Sequence, residues 1–266
     1  MSEFKEGKEM IFETHAHYDD EQFSEDRDAL ISSLPSQGIG RVINVGASIE
    51  STRSSLSLSE TYDFVYAAIG VHPSETADLN EDSFVWLREQ TAHERTVAIG
   101  EIGLDYYWDK EPEVQERQRY WFRRQLELAK ESRLPVIIHS RDAAEDTMEL
   151  IKDDGRDVCG VIHCYSYSPE LAKEFVRLGY YIGVGGVVTF KNSKKLKETV
   201  QQIPLERILL ETDCPYMAPE PFRGKRNNSA YLHYVADKIA ELRGITVEEV
   251  EQVTWENAMR LFTRIK

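Results

Sequence analysis

The chain has 266 residues, 41% hydrophobic and 30% charged, which is long enough for one (β/α)8 barrel or for two average domains. Its formal net charge of -15 at pH 7 argues against a sequence-independent binder of duplex nucleic acid, because an acidic surface repels a polyanion. The sequence has no apolar run near the roughly 20 residues that a membrane span needs, so we expect no membrane association.

Eight short apolar runs recur along the chain, and a longer amphipathic stretch follows each of them. Continuous apolar runs of this length are typical of strands buried on both faces, as a parallel sheet requires. The charged segment 1–9 precedes the first run, and we expect it to be loosely ordered. The predicted strands lie at 10–14, 41–46, 64–69, 96–100, 135–139, 158–163, 180–184 and 207–211.

Helical patterns separate these runs. Ser168 and Pro169 give the clearest start signal, an N-cap followed by a proline at the first helical position. Eight strands that alternate with helices predict an α/β protein, either a doubly wound sheet or a closed barrel. The predicted helices lie at 22–34, 50–60, 81–92, 114–132, 142–153, 168–178 and 193–202, and three more close the chain at 228–243, 246–253 and 255–264.

Residues able to bind metal follow six of the eight runs, at the C-terminal end of each. In a barrel all these ends meet at one mouth, whereas the outer strands of an open sheet end too far apart. The pattern therefore favours a (β/α)8 TIM barrel with extra C-terminal helices, formed as a single domain by residues 1–266. The residues are His15 and His17, His72, Glu101, His139, His163 and Asp213.

His15 and His17 are two residues apart on a strand, so their side chains point the same way and present two imidazoles together. A single histidine on a strand is usually a hydrogen-bonded core residue. Four of them with a glutamate and an aspartate at one end of the sheet predict a metal site instead. Neutral imidazole and carboxylate suit zinc, manganese, iron or cobalt, and carboxylates also admit magnesium. His72 lies one residue before a proline in a turn, and both interpretations stay open for it.

Six segments, taken together and in order, closely resemble the TatD family of metal-dependent deoxyribonucleases, which belongs to the amidohydrolase superfamily. The resemblance extends from about residue 11 to about residue 262. It also covers the loop that carries Arg223 and Arg226. The segments are THAHYDDEQF, GVHPSE, GEIGLDYYWD, QLELAKESRLPVIIHSRDA, VIHCYS and ETDCPYMAPEPFRGKRN.

The resemblance implies two divalent metal ions, zinc, magnesium or manganese. His15, His17 and Asp213 would hold one ion. His139 and His163 would hold the second, and Glu101 would bridge both. His72 and Asp105 would lie in the pocket or directly behind the ligands.

The implied activity is that of a hydrolase of phosphodiester bonds, a deoxyribonuclease that acts as a 3′-end exonuclease on single-stranded DNA. A water activated by the metal pair would attack the phosphorus. Asp213 is the candidate general base. Glu101 would bridge the metals, and His72 could assist the leaving group.

Cations near the mouth could bind the phosphates of such a substrate. Arg223 and Arg226 follow the eighth run, and Arg141 follows His139. Alternatively, Arg223 and Arg226 could lie in a solvated loop, and Arg141 could pair with a neighbouring carboxylate. The aromatic run 106–108 after Glu101 could stack on an unpaired base or pack beneath the rim.

Three other interpretations stay open. One is a hydrolase of a small ester, amide or phosphoester, or a deacylase of mischarged tRNA, because one fold serves many reactions. Another is a binding protein with a vestigial site, which the complete ligand set argues against. The third makes Cys164 or Cys214 a nucleophile, although strand alternation should turn both away from the metals.

The three cysteines form no CxxC pair, and their odd number argues for a reducing compartment. The N-terminus has no apolar core of the kind that a secretory signal contains. We therefore expect a cytoplasmic protein. No obligate protein partner can be read from the sequence.

Overall fold

Eight parallel strands form one sheet in the order in which they occur along the chain. The computed structural model describes residues 10–266, and the predicted loosely ordered segment 1–9 lies outside the described residues. The strands are β1 (Ile11–Ala16), β2 (Ile39–Val45), β3 (Val65–Ile69), β4 (Thr96–Asp105), β5 (Val136–Arg141), β6 (Gly160–Ile162), β7 (Tyr181–Val184) and β8 (Ile208–Leu210).

The first strand and the segment after the last strand meet and close the barrel. The amide of His17 donates to the carbonyl of Cys214, and the amide of Asp213 donates to the carbonyl of His15, both over 2.9 Å. Inside this seam the buried carboxyl group of Glu13 accepts hydrogen bonds from the amide and hydroxyl of Thr212, 199 positions away. The predicted barrel is confirmed.

Helices alternate with the strands, as the sequence predicts. Ser168 accepts a hydrogen bond from the amide of Leu171 and caps α6, the helix that the Ser-Pro pair predicts. Among residues 10–266 no helix is both long and apolar enough to cross a membrane. The helices are α1 (Arg27–Ser33), α2 (Ile49–Thr61), α3 (Glu81–Gln90), α4 (Pro112–Ser132), α5 (Ala144–Asp153), α6 (Pro169–Arg177), α7 (Lys194–Gln202), α8 (Leu232–Arg243) and α9 (Val247–Leu261).

The C-terminal region contains two α-helices where the sequence suggested three. The stretches 246–253 and 255–264 form the single helix α9, because no proline or glycine interrupts them. The predicted start at 228 is a short 3-10 turn, Ser229–Tyr231, before α8. Only α9 is therefore additional to the eightfold strand–helix alternation.

Helix α9 covers the N-terminal end of the barrel. Phe262 from its C-terminal end packs against Phe12 at the start of β1, with ring centroids 6.2 Å apart, and Trp255 packs on the same ring at 5.6 Å. Ala258 and Leu261 join the same buried cluster. Because apolar side chains fill this end, the polar residues at the C-terminal ends of the strands face the open end of the barrel.

Candidate metal centre

The structure brings all six predicted metal ligands to the open end of the barrel. His15 lies on β1 and is fully buried, and His17 follows one residue after the end of that strand. The other five ligands line a cavity of about 1140 Å³. Four donor clusters that could hold a metal ion are found among the described residues. Three of them consist entirely of these six residues, and the fourth joins His139 to His72 and Asp105.

One candidate site, called here the HxH site, consists of His15, His17, Asp213 and one oxygen of Glu101. The two histidine Nε2 atoms are 3.0 Å apart. They lie 3.5 and 3.7 Å from Glu101 Oε2, and 3.7 and 3.4 Å from Asp213 Oδ1. In a tetrahedral zinc site, bonds of 2.0–2.1 Å place neighbouring donors about 3.4 Å apart. The observed spacings fit a four-coordinate metal.

The other candidate site, called the His139 site, uses the second oxygen of Glu101. His139 Nδ1 lies 2.9 Å and His163 Nε2 lies 3.4 Å from Glu101 Oε1. The two carboxylate oxygens of Glu101 therefore face different sets of histidines. This is the arrangement of a carboxylate that bridges two cations. Three protein donors also leave coordination positions open, as in catalytic rather than structural sites.

Hydrogen bonds on the side away from the proposed metal set the orientation of two of the imidazoles, those of His17 and His139. His17 Nδ1 donates to the carbonyl of Val45 over 2.9 Å, which directs Nε2 toward the HxH site. His139 Nε2 lies 3.0 Å from Asp105 Oδ2, on the side opposite Glu101. Such outer partners fix the ring and raise the basicity of the nitrogen that binds metal.

Glu211 is a buried residue of the site that the sequence analysis missed. One of its oxygens lies 3.2 Å from His163 Nδ1, on the side of the ring away from Glu101. Asp105 has the same position relative to His139. The sequence did contain a signal for Glu211. Glu211 and Asp213 are two residues apart, as His15 and His17 are, and residues two apart on a strand point to the same side.

The electrostatics of the pocket favour a bound cation. Burial by itself lowers the pKa of His17, but Asp213 and Glu101 outweigh it and raise the pKa to about 9. Burial likewise opposes protonation of His163, and Glu211 and Glu101 raise its pKa to about 10. The buried carboxylates thus hold protons on these imidazoles unless a metal ion replaces the protons.

His72 lines the cavity, beside Glu101 and His139. Its Nε2 is 3.8 Å from Glu101 Oε1, and its ring contacts the edge of His139. Burial lowers the pKa of His72 to about 4, so the ring is neutral. Since its Nδ1 accepts a hydrogen bond from the amide of Ser74, the proton is on Nε2.

The three arginines proposed to bind substrate have different surroundings. Arg141 lines the cavity, and within residues 10–266 its guanidinium has no hydrogen bond or ion pair. Arg223 is exposed and lies over the ring of Phe190. Arg226 is not among the residues that line the cavity, and both of its terminal nitrogens bond to the carboxylate of Asp26.

Cys164 corrects one expectation from the sequence, because it lines the cavity instead of pointing away. The strand ends at Ile162, and Cys164 adopts a positive φ of 44°, so strand alternation no longer applies. Burial raises the pKa of its thiol well above the usual value. A protonated thiol is a poor nucleophile. Cys214 is fully buried.

Changing Asp105 to asparagine is expected to weaken metal binding at the His139 site about 10- to 100-fold, because His139 loses the carboxylate that orients it. Asparagine keeps an oxygen that can accept the hydrogen bonds which the amides of Tyr107 and Trp108 donate to Asp105. Zinc titration of the metal-free protein measures the effect. Asp109→Asn is the control, since this nearby carboxylate contacts Gln118. Equal affinities for wild type and Asp105→Asn would show that Asp105 does not orient His139.

The chain matches the family described as TatD related DNase over residues 12–263. It is 47% identical to the uncharacterized metal-dependent hydrolase YabD of Bacillus subtilis, over 95% of this chain and 99% of that protein. It is 36% identical to the uncharacterized metal-dependent hydrolase YcfH of Escherichia coli, over 95% of each. The crystal structure of YjjV, a TatD homologue from Escherichia coli, has a TM-score of 0.87 and 34% identity, over 95% of this chain and 98% of the other.

Proposed function

The chain belongs to the family of TatD-related DNases and is a metal-dependent hydrolase, and from this premise we propose that it cleaves phosphodiester bonds in DNA. The proposed substrate is single-stranded DNA, shortened from its 3′ end. The observation that carries the proposal is Glu101, whose two oxygens face two separate histidine sets at the floor of an open cavity. Two divalent ions, zinc, magnesium or manganese, are proposed to bind there.

When bound, the metal pair would supply Lewis acidity and a water of lowered pKa. Asp213 belongs to the HxH site and also lines the cavity, so its carboxylate is placed to accept the proton of that water. The neutral His72 carries its proton on Nε2, on the side of Glu101. That N–H can donate to an oxygen of the phosphate or of the leaving group.

Arg141 supports a phosphate-bearing substrate. Its guanidinium lines the same cavity and has no carboxylate partner within residues 10–266. A guanidinium fork matches two oxygens of a phosphate group. Arg141 is therefore proposed to bind the oxygens of the scissile phosphate that take no part in the displacement. Arg223 is proposed as a weaker contact farther out, and Arg226 as the residue that anchors the loop to Asp26.

The rim of the cavity favours a second candidate, a hydrolase of a small ester, amide or phosphoester. Acidic side chains outnumber Arg141 there, and they oppose the approach of a long polyanion. A small substrate, or the aminoacyl end of a mischarged tRNA, places fewer phosphates near them. The rim carboxylates are Asp19, Asp20, Glu21, Glu75 and Asp142.

The test combines metal analysis with a substrate panel. Protein reconstituted separately with zinc, magnesium or manganese is expected to bind close to two ions per chain. It should shorten 5′-labelled single-stranded DNA from the 3′ end, lose this activity with a chelator and regain it with metal. Fully active protein without metal would overturn the metal mechanism. Intact DNA under every metal, together with hydrolysis of esters, amides or phosphomonoesters, would establish the second candidate.

A further inference from the structure

The turn that follows β4 links the surface of the barrel mouth to the metal centre. Asp105 Oδ1 accepts hydrogen bonds from the amides of Tyr107 and Trp108, each over 3.0 Å. The other oxygen of the same carboxylate lies 3.0 Å from His139 Nε2. One side chain thus fixes both a proposed metal ligand and the backbone that carries two aromatic rings.

The three consecutive aromatic residues of this turn have different surroundings. Tyr106 packs against the core, and its hydroxyl donates to Asp146 over 2.6 Å. Tyr107 lines the cavity and is 42% exposed. Trp108 is 67% exposed, more than any other large hydrophobic side chain in the described part of the chain. An indole left in water beside a catalytic cavity indicates a surface that a ligand covers.

Arg141 adds a cation to these rings. Its guanidinium carbon lies 4.0 Å from the ring centroid of Tyr107 and 5.5 Å from that of Trp108. Stacking on an aromatic face holds the guanidinium in place while leaving its N–H groups to bind a ligand. Such a surface can recognise a phosphate group together with one planar nucleobase.

We propose that Tyr107, Trp108 and Arg141 form a nucleotide subsite. The rings of Tyr107 and Trp108 are nearly perpendicular, so Tyr107 holds the guanidinium of Arg141 on the scissile phosphate, and the exposed ring of Trp108 stacks on the unpaired base attached to that phosphate. The inference rests on the proposed phosphodiesterase activity, and it identifies the nucleotide that carries the scissile phosphate as the part of the substrate that the barrel mouth binds. A base in a duplex is already stacked and paired, so the subsite requires a frayed or single-stranded terminus. Stacking on aromatic side chains tolerates any base.

The test compares two substrates with the same leaving group, the p-nitrophenyl ester of thymidine 5′-monophosphate and methyl p-nitrophenyl phosphate. Using manganese-loaded protein, Trp108→Ala is expected to raise KM for the thymidine substrate about 5- to 100-fold, as the loss of one stacked base predicts. kcat should change little, and hydrolysis of the methyl ester should not change. Trp108→Phe should restore most of the affinity, because a phenyl ring can still stack.

Tyr120→Ala is the matched control, because this exposed aromatic residue lies on α4 and is not among the residues that line the cavity. It should behave as wild type on both substrates. Equal kinetics of wild type and Trp108→Ala on the thymidine ester would overturn the subsite. An equal loss on both substrates would show that Trp108 supports the metal centre through Asp105 instead, and would also overturn it.

A binding measurement separates the subsite from the reaction. Thymidine 5′-monophosphate should quench the fluorescence of the wild type, and the difference between wild type and Trp108→Phe isolates the signal of Trp108. Inorganic phosphate should not produce this signal. If the wild type hydrolyses neither ester but the quench is present, the phosphodiesterase proposal fails and the nucleotide subsite stands. Without the quench, the subsite is wrong whatever the protein hydrolyses.

Discussion

Replacing Glu101 by glutamine is expected to lower kcat by about 10³-fold or more and to leave at most one metal ion per chain. The two oxygens of this buried carboxylate lie 3.5 Å from His15 Nε2 and 2.9 Å from His139 Nδ1, so both candidate sites depend on it. Glutamine removes the negative charge that offsets repulsion between two cations. It also leaves only one oxygen to coordinate. Elemental analysis after reconstitution, together with kcat on single-stranded DNA, measures both effects.

His163→Ala is the comparison for this variant. His163 contacts Glu101 through Oε1 only, so its removal should impair the His139 site and leave the HxH site able to bind metal. The loss for Glu101→Gln should therefore exceed that for His163→Ala. Thermal unfolding of both metal-free variants checks that the barrel is intact. Two retained metals and normal turnover in Glu101→Gln would show that Glu101 is not the bridge.

Asp213→Asn is expected to lower kcat by about 10²- to 10⁴-fold while the metal content stays near that of the wild type. Asparagine keeps one oxygen toward His17 but cannot accept a proton as a carboxylate does. The backbone should tolerate the change, because Asp213 has a positive φ of 58° and asparagine adopts this conformation readily. Single-turnover rates on DNA, measured beside metal analysis, separate proton transfer from metal loss.

Asp142→Asn is the matched control for that experiment. Asp142 also lines the cavity and also has a positive φ, of 52°, but it is absent from the donor clusters found among the described residues. This variant should keep the wild-type rate on a minimal phosphodiester. A near-normal kcat in Asp213→Asn with both metals bound would place the general base elsewhere.

The barrel, and the grouping of the candidate metal ligands at its mouth, could be predicted because both leave local signals. Each buried strand is a continuous apolar run, and a histidine or carboxylate that ends such a run is conspicuous. The boundaries were less accurate. The sequence suggested that Glu101 ends its strand, but β4 continues to Asp105 and all ten of its residues are buried. Pairing with β5 through Asp105 and Arg141 extends it, and a local pattern does not report that partner.

The features that sequence reasoning missed depend on residues far apart in the chain. Glu211 contacts His163 only because the C-terminal ends of β6 and β8 lie close together at the open end of the barrel. The ion pair of Arg226 with Asp26 spans 200 positions, so nothing near Arg226 in the sequence signals that it is engaged. The position of Tyr107 also depends on a distant residue, because the guanidinium of Arg141 on β5 lies over its ring.

The seam between β1 and the segment after β8 makes the HxH site depend on closure of the barrel. His15 and His17 leave the ribosome early, and Asp213 leaves last among the six ligands. A nascent chain without β8 therefore has an incomplete HxH site and lacks its candidate base. An ion held by His15 and Asp213 would join the two edges of the sheet, and it would oppose the opening of the barrel where Ala16 pairs with Cys214. We therefore expect the HxH site to form only when the barrel closes.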